Sequence, residues 1–180
     1  MVAIARLLLL ASTVAAAATR QLFHRDVKTV INDINMQIAP IMTQLDKDVK
    51  NFPESGFCGS LDIDTDAKNL VSALNTATAN VESTGKVGVA AAITITGLES
   101  RLLQMSTTLD RLGSLAYGWK AIPGGAVHVF DNLQVLQAAF DKYLDAISAA
   151  VPATQAVGVA AIKKYLTSSF DKAIRIYSTA

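Results

Sequence analysis

The sequence predicts an all-α fold, a single five-helix bundle that follows a cleaved signal peptide. Apolar residues recur at three- and four-residue steps almost throughout residues 19–180, which is the spacing of amphipathic helices. Glycine- and proline-rich segments divide that pattern into five runs. With 180 residues, the chain is long enough for one domain with its own apolar core.

Residues 1–18 are predicted to be a secretory signal peptide. Arg6 supplies a positive charge, an apolar run covers Leu7–Leu10, and the small residues Ala15–Ala18 suit a cleavage site. The apolar run is too short for an ordinary membrane span, so a retained anchor is the weaker alternative. We therefore expect a secreted protein whose mature domain covers residues 19–180, with no transmembrane segment.

The first predicted helix precedes a loop at Asn51–Ser60 and is expected to be distorted at Pro40, which lacks a backbone donor. Its apolar stripe consists of Val27, Val30, Ile31, Ile34, Ile38, Ile41, Met42, Leu45 and Val49. The second helix is predicted to start near Asp62, with acidic residues in its first turn as the helix dipole favours.

Gly85 and Gly88 separate the second helix from a third run, which ends at Trp119. The β-branched segment Ile93–Thr96 within this run could form a strand by itself, but helical periodicity on both sides favours a helix. The turn Ile122–Gly125 then separates the third and fourth helices.

Pro152 closes the fourth run and begins the fifth. The connection between these two helices is very short, so we expect them to pack antiparallel.

The charge balance excludes some classes of partner. Removal of residues 1–18 takes away only Arg6, which leaves 15 basic and 15 acidic residues and a formal net charge of zero. Nucleic acid is therefore not an expected partner, because phosphate binding needs a basic surface. A polybasic attraction to membranes is disfavoured for the same reason.

No pattern of catalytic or metal-binding residues is present. His24 and His128 have no second histidine or cysteine at ligand spacing. The segment Asp62–Asp66 resembles the start of a calcium loop, but Ala67 and Ala73 stand where that loop needs glycine and glutamate. No nucleophile elbow or phosphate-binding loop occurs either. We predict no catalytic residue, no metal site and no cofactor.

Cys58 is the single cysteine, so no disulfide within the chain can form. A buried, unreactive thiol is favoured over a disulfide between two chains, because a free cysteine behaves as a small apolar residue.

Aromatic residues make up only 6% of the chain, so its interior is built mainly from alanine, valine, isoleucine and leucine. Such an interior could be a filled core, or it could leave an apolar cavity between helices, where bundles often hold ligands. The breaks at Asn51–Ser60 and Lys120–Ala126 are natural mouths for such a cavity.

Short motifs at both ends of the mature chain resemble one protein family. The pattern Arg25-Asp26-Val27-x-Thr29-Val30-x-x-Asp33-Ile34 is similar to the opening of the fungal hydrophobic surface-binding protein A family, which includes the antigenic cell-wall galactomannoproteins. The segments Val151–Ala153, Phe170–Ile174 and Ile176–Ser178 resemble the end of the same family.

The resemblance implies a helical bundle that is exported to the medium or the cell wall. It also implies two behaviours. Some members adsorb to hydrophobic surfaces and help to recruit secreted polyester-degrading enzymes, and galactomannoproteins bind long-chain fatty acids in a central apolar cavity. The family offers no catalytic residues to carry over.

The first hypothesis is therefore a non-catalytic protein that captures a long-chain fatty acid or similar lipid between its helices. The predicted lining of the apolar cavity consists of Ile34, Ile38, Leu74, Leu102, Leu109, Leu136, Phe140 and Phe170. The predicted polar contacts for the head group are Ser72, Gln104 and Ser106.

The alternative is a surface-active protein that adsorbs to hydrophobic surfaces and recruits secreted hydrolases. Trp119, Tyr117 and Phe57 are the candidates for its exposed apolar patch, and ordinary half-buried aromatics are the competing interpretation. An enzyme is the weakest of the three hypotheses.

Overall fold

A computed structural model describes residues 27–179, apart from the side chains of residues 98–100. Within that range the chain is helical almost throughout and contains no strand, which confirms the predicted all-α class. The predicted signal peptide and His24 lie outside the described residues, so both remain predictions.

The described part of the chain begins with α-helical residues 27–32, which continue into a π-helical segment at Asp33–Ile38. The α-helices that follow, in chain order, are α1 (Ala39–Asn51), α2 (Gly56–Thr84), α3 (Val89–Glu99), α4 (Gln104–Ser114), α5 (Ala116–Lys120), α6 (Gly125–Ala150) and α7 (Ala153–Ser178). A 3-10 turn, Ser100–Leu103, joins α3 to α4.

Helices α6 and α7 pack antiparallel, as their short connection predicts. Three polar pairs join them, and as the residue number falls by four on α6 it rises by four on α7. The pairs are Asp145 with Lys163, Asp141 with Thr167, and Gln137 with Asp171. Residues Val151 and Pro152 alone connect the two helices.

Hydrogen bonds also give the direction of α2 relative to α6. Asp64 near the start of α2 meets His128 near the start of α6, and the Val87 N–H just beyond α2 reaches the carbonyl of Ala150 at the end of α6. These two helices therefore run parallel and both begin at the same end of the bundle. We call this the α5 end, because α5 directly precedes α6.

The remaining directions follow from pairs made by α1 and its preceding π-helical turn. Asn80 near the end of α2 donates to Asp33, so these helices are antiparallel. Thr108 of α4 donates to Asp46 of α1, and Arg101 in the 3-10 turn before α4 donates to Asn35 in the π-helical segment before α1. Residue numbers rise together in the two pairs, so α1 and α4 run parallel. The helices consequently alternate in direction along the chain, and α3, the 3-10 turn and α4 together run toward the α5 end.

One contiguous apolar core fills the space between the helices. Its largest fully buried side chains include Tyr143, Phe140 and Phe170, and the last two rings lie 5.7 Å apart between centroids. The eight residues that the sequence predicts as a cavity lining all belong to this core.

The structure accommodates Pro40 through the π-helical segment. Pro40 is the second residue of α1, and the preceding turns are wound more widely, so that the Ala39 N–H bonds the carbonyl of Ile34 five residues back. A proline removes one helical hydrogen bond, and a wider turn allows neighbouring groups to pair differently. The distortion expected at Pro40 is thus present as a local change of helix type.

The prediction for the start of the second helix was wrong. Helix α2 begins at Gly56, inside the predicted loop, and Gly56 has a positive φ of 61° that few other residues adopt easily. The acidic residues from Asp62 onward therefore lie in the second and third turns, and the first turn contains none. Asp64, one of these residues, pairs with the side chains of Lys68, His128 and Asn132 rather than with the helix terminus.

The predicted number of five helices was also wrong, because the third run is divided. It contains α3, the 3-10 turn, α4 and the short α5 in place of one helix. Ile93–Thr96 lies within α3, so the choice of helix over strand is confirmed. At α5 the chain comes close to Phe52, where a Cβ on Gly118 would lie 3.1 Å from the ring.

Candidate functional site

A narrow apolar cavity of about 30 Å³ lies at the α5 end of the core. Four long helices and α5 contribute to its wall. The lining residues are Leu45, Val49, Ile63, Asp64, Ala67, Met105, Thr108, Leu112, Trp119, His128, Val129, Asn132, Leu133 and Leu136. On α6 the lining extends from His128 to Leu136, which corresponds to about 12 Å along the helix axis.

The cavity is elongated but narrow. A volume of about 30 Å³ leaves room for no more than a few water molecules. Pockets that hold drug-sized ligands measure roughly 300–1,000 Å³. A long-chain lipid could therefore enter only if the surrounding helices separated, and the cavity marks the place where the core is least completely filled.

Trp119 closes the cavity at the α5 end. Its side chain is only 2% exposed and stacks on Phe52, with ring centroids 4.5 Å apart. The indole Nε1 is buried and has no hydrogen-bond partner. Buried N–H groups are nearly always paired, so this donor in the wall of a cavity is free to bind a water molecule or a ligand group.

Asp64 contributes a charged group to one side of the cavity. Its carboxylate accepts hydrogen bonds from Lys68, His128 and Asn132 at 2.7–2.8 Å. Partial burial raises the pKa of Asp64, but the bonds from these three side chains outweigh that effect and lower it overall. Asp64 is therefore ionised at neutral pH and already has its hydrogen-bond partners.

Thr108 is the polar group on the opposite wall, and Asp46 occupies its hydroxyl. The Thr108 hydroxyl donates to Asp46 Oδ1 at 3.1 Å, and Arg111 donates to the same oxygen at 2.7 Å. Burial raises the pKa of Asp46, but hydrogen bonds from Lys50 and Thr108 and the positive charges of Lys50 and Arg111 lower it more.

The structure brings one of the eight predicted lining residues, Leu136, to the cavity wall. The other seven are packed in the core and do not line this cavity, and their predicted contact with a ligand remains a prediction. Of the predicted head-group contacts, Ser72 and Gln104 are exposed, and Ser106 is buried with its hydroxyl bonded to the Leu103 carbonyl.

Sequence reasoning missed Trp119, Thr108 and Asp64 as cavity residues. The sequence offers Trp119 for an exposed patch or as an ordinary half-buried aromatic, and its burial contradicts the patch; Tyr117 and Phe57 are 86% and 63% exposed. Two signals in the sequence were available, because Trp119 is the only tryptophan and it directly precedes the predicted mouth at Lys120–Ala126.

Two further predictions concern reactive side chains. Cys58 is exposed in the first turn of α2, so the preference for a buried thiol was wrong; the helix starts early and turns Gly59 and Ser60 inward instead. Within residues 27–179, no three histidine, cysteine, aspartate or glutamate side chains gather as a metal site would require.

A wide, open groove lies at the opposite end of the bundle, with a volume of about 940 Å³. The start of the first helix and α3 form its apolar walls, and Lys28 and Lys86 lie along it. Among the described helices, none combines the length and the hydropathy that a membrane crossing needs.

The class of protein that these features define is an all-helical bundle with an internal apolar cavity. The same fold occurs in AfMP4p, whose crystal structure was determined with palmitic acid; the TM-score is 0.78, the identity 20%, and the match covers 84% of this chain and 99% of that one. It also occurs in ligand-binding domain 1 of the Penicillium marneffei MP1 protein, complexed with arachidonic acids, with a TM-score of 0.74, 16% identity and coverage of 84% and 96%.

Ligand-binding domain 2 of the same Penicillium marneffei protein, complexed with multiple arachidonic acids, matches with a TM-score of 0.74 and 15% identity over 87% of this chain and 96% of that one. At these identities the similarity shows the fold alone. No protein-family model matches the chain, and the comparison with curated proteins gives no match.

Proposed function

We propose that this protein is a secreted, non-catalytic binding protein that captures long-chain fatty acids or similar lipids between its helices. The observation that carries the proposal is the apolar cavity below Trp119, which reaches into the core and carries an unpaired donor at its outer end. The complexes of AfMP4p and of the MP1 domains with palmitic and arachidonic acids support it, because those proteins share the fold.

The energetics of acyl-chain burial support opening of the cavity. Each buried methylene contributes about 0.8 kcal/mol, so a chain of sixteen carbons offers on the order of 10 kcal/mol before the cost of its immobilisation. That amount is enough to offset some loss of packing between helices. The short helix α5 and the segments beside it form the least extensive part of the cavity wall, and we infer that the lipid enters there.

A lipid bound in this way would extend beyond the present cavity. The lining of α6 covers about 12 Å, and an extended sixteen-carbon chain is longer than that. The remainder would lie among the core residues further along the bundle, which include the predicted lining residues Leu74 and Phe140. The predicted lining therefore becomes the proposed path of the distal acyl chain.

Membership of the hydrophobic surface-binding protein A family and a location outside the cell or in the cell wall also belong to this proposal. They rest on the terminal motifs and on the predicted signal peptide.

The test is to express residues 19–180 in a secretory host, extract the purified protein with organic solvent and analyse the extract by mass spectrometry. We expect a co-purified lipid in stoichiometric amount, or saturable uptake of added palmitic acid by the delipidated protein. A lipid-free protein that also takes up no added fatty acid would refute lipid capture.

A second function, adsorption to hydrophobic surfaces with recruitment of secreted hydrolases, is supported by exposed apolar side chains at the α5 end. Phe57 and Leu61 lie at the start of α2, Tyr117 lies in α5, and Val127 lies at the start of α6. Adsorption to hydrophobic beads without a defined lipid stoichiometry would favour this function over the first.

A further inference from the structure

The unpaired indole N–H of Trp119 lies in a wall that is otherwise apolar or already paired. Besides Trp119, the lining residues with nitrogen- or oxygen-bearing side chains are Asp64, Thr108, His128 and Asn132. His128 and Asn132 bond Asp64, and Thr108 bonds Asp46. The indole nitrogen is therefore the donor that a ligand in this cavity would find available.

The charges around the cavity restrict what that ligand can present. The lining contains no lysine or arginine, and the ionised carboxylate of Asp64 forms part of the wall. A carboxylate buried beside Trp119 would lose its hydration, gain one neutral donor and face a like charge. An uncharged oxygen would gain the same hydrogen bond without the cost of burying a charge.

We propose that Trp119 binds the head group of the lipid, and that its Nε1 donates a hydrogen bond to an uncharged acyl carbonyl, that of an ester or a protonated fatty acid. This inference rests on the proposed lipid-binding function and specifies the chemistry of the same site. The head group then lies at the α5 end, below the Trp119–Phe52 stack, and the acyl chain points into the core along Leu133 and Leu136.

The assignment replaces the polar contacts predicted from the sequence. Ser72 and Gln104 are exposed on the outside of the bundle, and the Ser106 hydroxyl donates to the Leu103 carbonyl of the preceding 3-10 turn. Trp119 is the one cavity residue that combines burial with an unused donor. Its proposed role is in binding.

The single tryptophan makes the contact directly observable, because a ¹H–¹⁵N spectrum of the protein contains one indole signal. The probes are methyl palmitate and hexadecane. Both have a long hydrocarbon chain, but only methyl palmitate has a carbonyl that can accept a hydrogen bond. We expect methyl palmitate to move the indole proton downfield in a saturable manner and hexadecane not to do so. Equal shifts with both probes would overturn the assignment. An indole proton that stays bonded to a trapped water molecule in the presence of either probe would overturn it as well.

Affinity measurements on a variant test the same contact. Trp119→Phe removes the donor, so the affinity for methyl palmitate should fall about three- to tenfold. The affinity for hexadecane should stay within about twofold, and this probe serves as the control for altered packing. Equal losses for both probes would show that Trp119 only fills space.

Replacement of the single tryptophan by 3-(3-benzothienyl)alanine, incorporated biosynthetically, keeps the ring size and exchanges the N–H for sulfur. It should reproduce the selective loss even if Trp119→Phe does not fold, and unchanged ester affinity in this variant would refute the proposal.

The third comparison concerns the charge of the head group. At pH 8 the unmodified protein should bind methyl palmitate at least tenfold more tightly than ionised palmitate. Equal or tighter binding of palmitate would contradict the uncharged head group. A protein that binds none of the three probes would instead refute the proposed lipid-binding function itself, so the two failures are distinguishable.

Discussion

Asp46 on α1 and Asp66 on α2 are both at least partly buried, yet their surroundings shift their pKa values in opposite directions. Asp46 receives hydrogen bonds from Thr108, Arg111 and Lys50, and these lower its pKa despite burial. Burial raises the pKa of Asp66 to about 6, and a hydrogen bond with Asp48 and the charges of Asp48 and Asp62 raise it further. The two residues should therefore affect the pH dependence of stability with opposite signs.

Asp46→Asn should destabilise the protein by about 1–3 kcal/mol at pH 7, because Arg111 and Lys50 lose their charged acceptor. Because the pKa of Asp46 is lower in the native state than in the unfolded chain, Asp46 stabilises the fold at pH values above its unfolded pKa of 3.8. This contribution disappears as the pH falls through the pKa of the native state. Urea unfolding at pH 7 and pH 2 measures both effects. A difference between variant and wild type that is as large at pH 2 as at pH 7 would contradict the account.

Asp66→Asn should increase stability at pH 7 by about 1–2 kcal/mol, since the amide removes a carboxylate that is costly to ionise. Between pH 3.8 and about 6 the native state holds a proton that the unfolded chain releases, so wild-type stability falls as the pH rises through this window. The advantage of the variant should therefore vanish near pH 4. Asp145→Asn, at an exposed ion pair, is the control and should show no such window.

At the scale of elements, backbone conformation and local sequence agree at most helix ends. Gly85 ends α2 with φ 69° and ψ −151°, a combination that glycine adopts almost alone. Gly124 precedes α6 with φ 73°. Gly158, in contrast, lies within α7, is exposed and has open space where a Cβ would be.

These two kinds of glycine predict opposite results for the same substitution. Gly85→Ala should destabilise the protein by about 1–3 kcal/mol, because alanine is strained in that conformation. Gly158→Ala should stabilise it by about 0.5–1 kcal/mol through a lower entropy of the unfolded chain. Thermal and urea unfolding of the two variants provide the measurement, and a loss of stability at Gly158 would contradict the helical assignment of that turn.

The elements also show how far the sequence can be interpreted. Apolar spacing predicted the helical runs, and Pro152 and Gly124 placed two of their boundaries, since these residues act on the backbone locally. The start of α2 could not be placed, because glycine and proline around Gly56 suggest a loop while tertiary packing continues the helix. The division of the third run at Ser100–Leu103 and at Leu115 has no glycine or proline to mark it in the sequence.

At the scale of the whole molecule, the narrow cavity implies that lipid binding and stability are linked. A lipid that binds the folded state at 100 times its Kd should raise the free energy of unfolding by about 2.7 kcal/mol. Methyl palmitate should have this effect, whereas methyl butyrate, with the same head group and few methylenes, should raise it little. Thermal unfolding at increasing lipid concentrations is the measurement. Equal stabilisation by both esters would mean that the acyl chain does not enter the core.

The all-α class, the helical runs, several helix breaks and the burial of most apolar positions follow from residue type and from spacing along one helix, although Val89, Ile93 and Val157 of these runs are exposed. Which buried residues face the cavity follows from the packing of several helices. Ile34, Leu74 and Leu136 are equally apolar and equally buried, yet Leu136 alone among them lines it. A cavity is space that several helices together leave unfilled, so its position depends on their rotation and packing, which the pattern of a single helix does not contain.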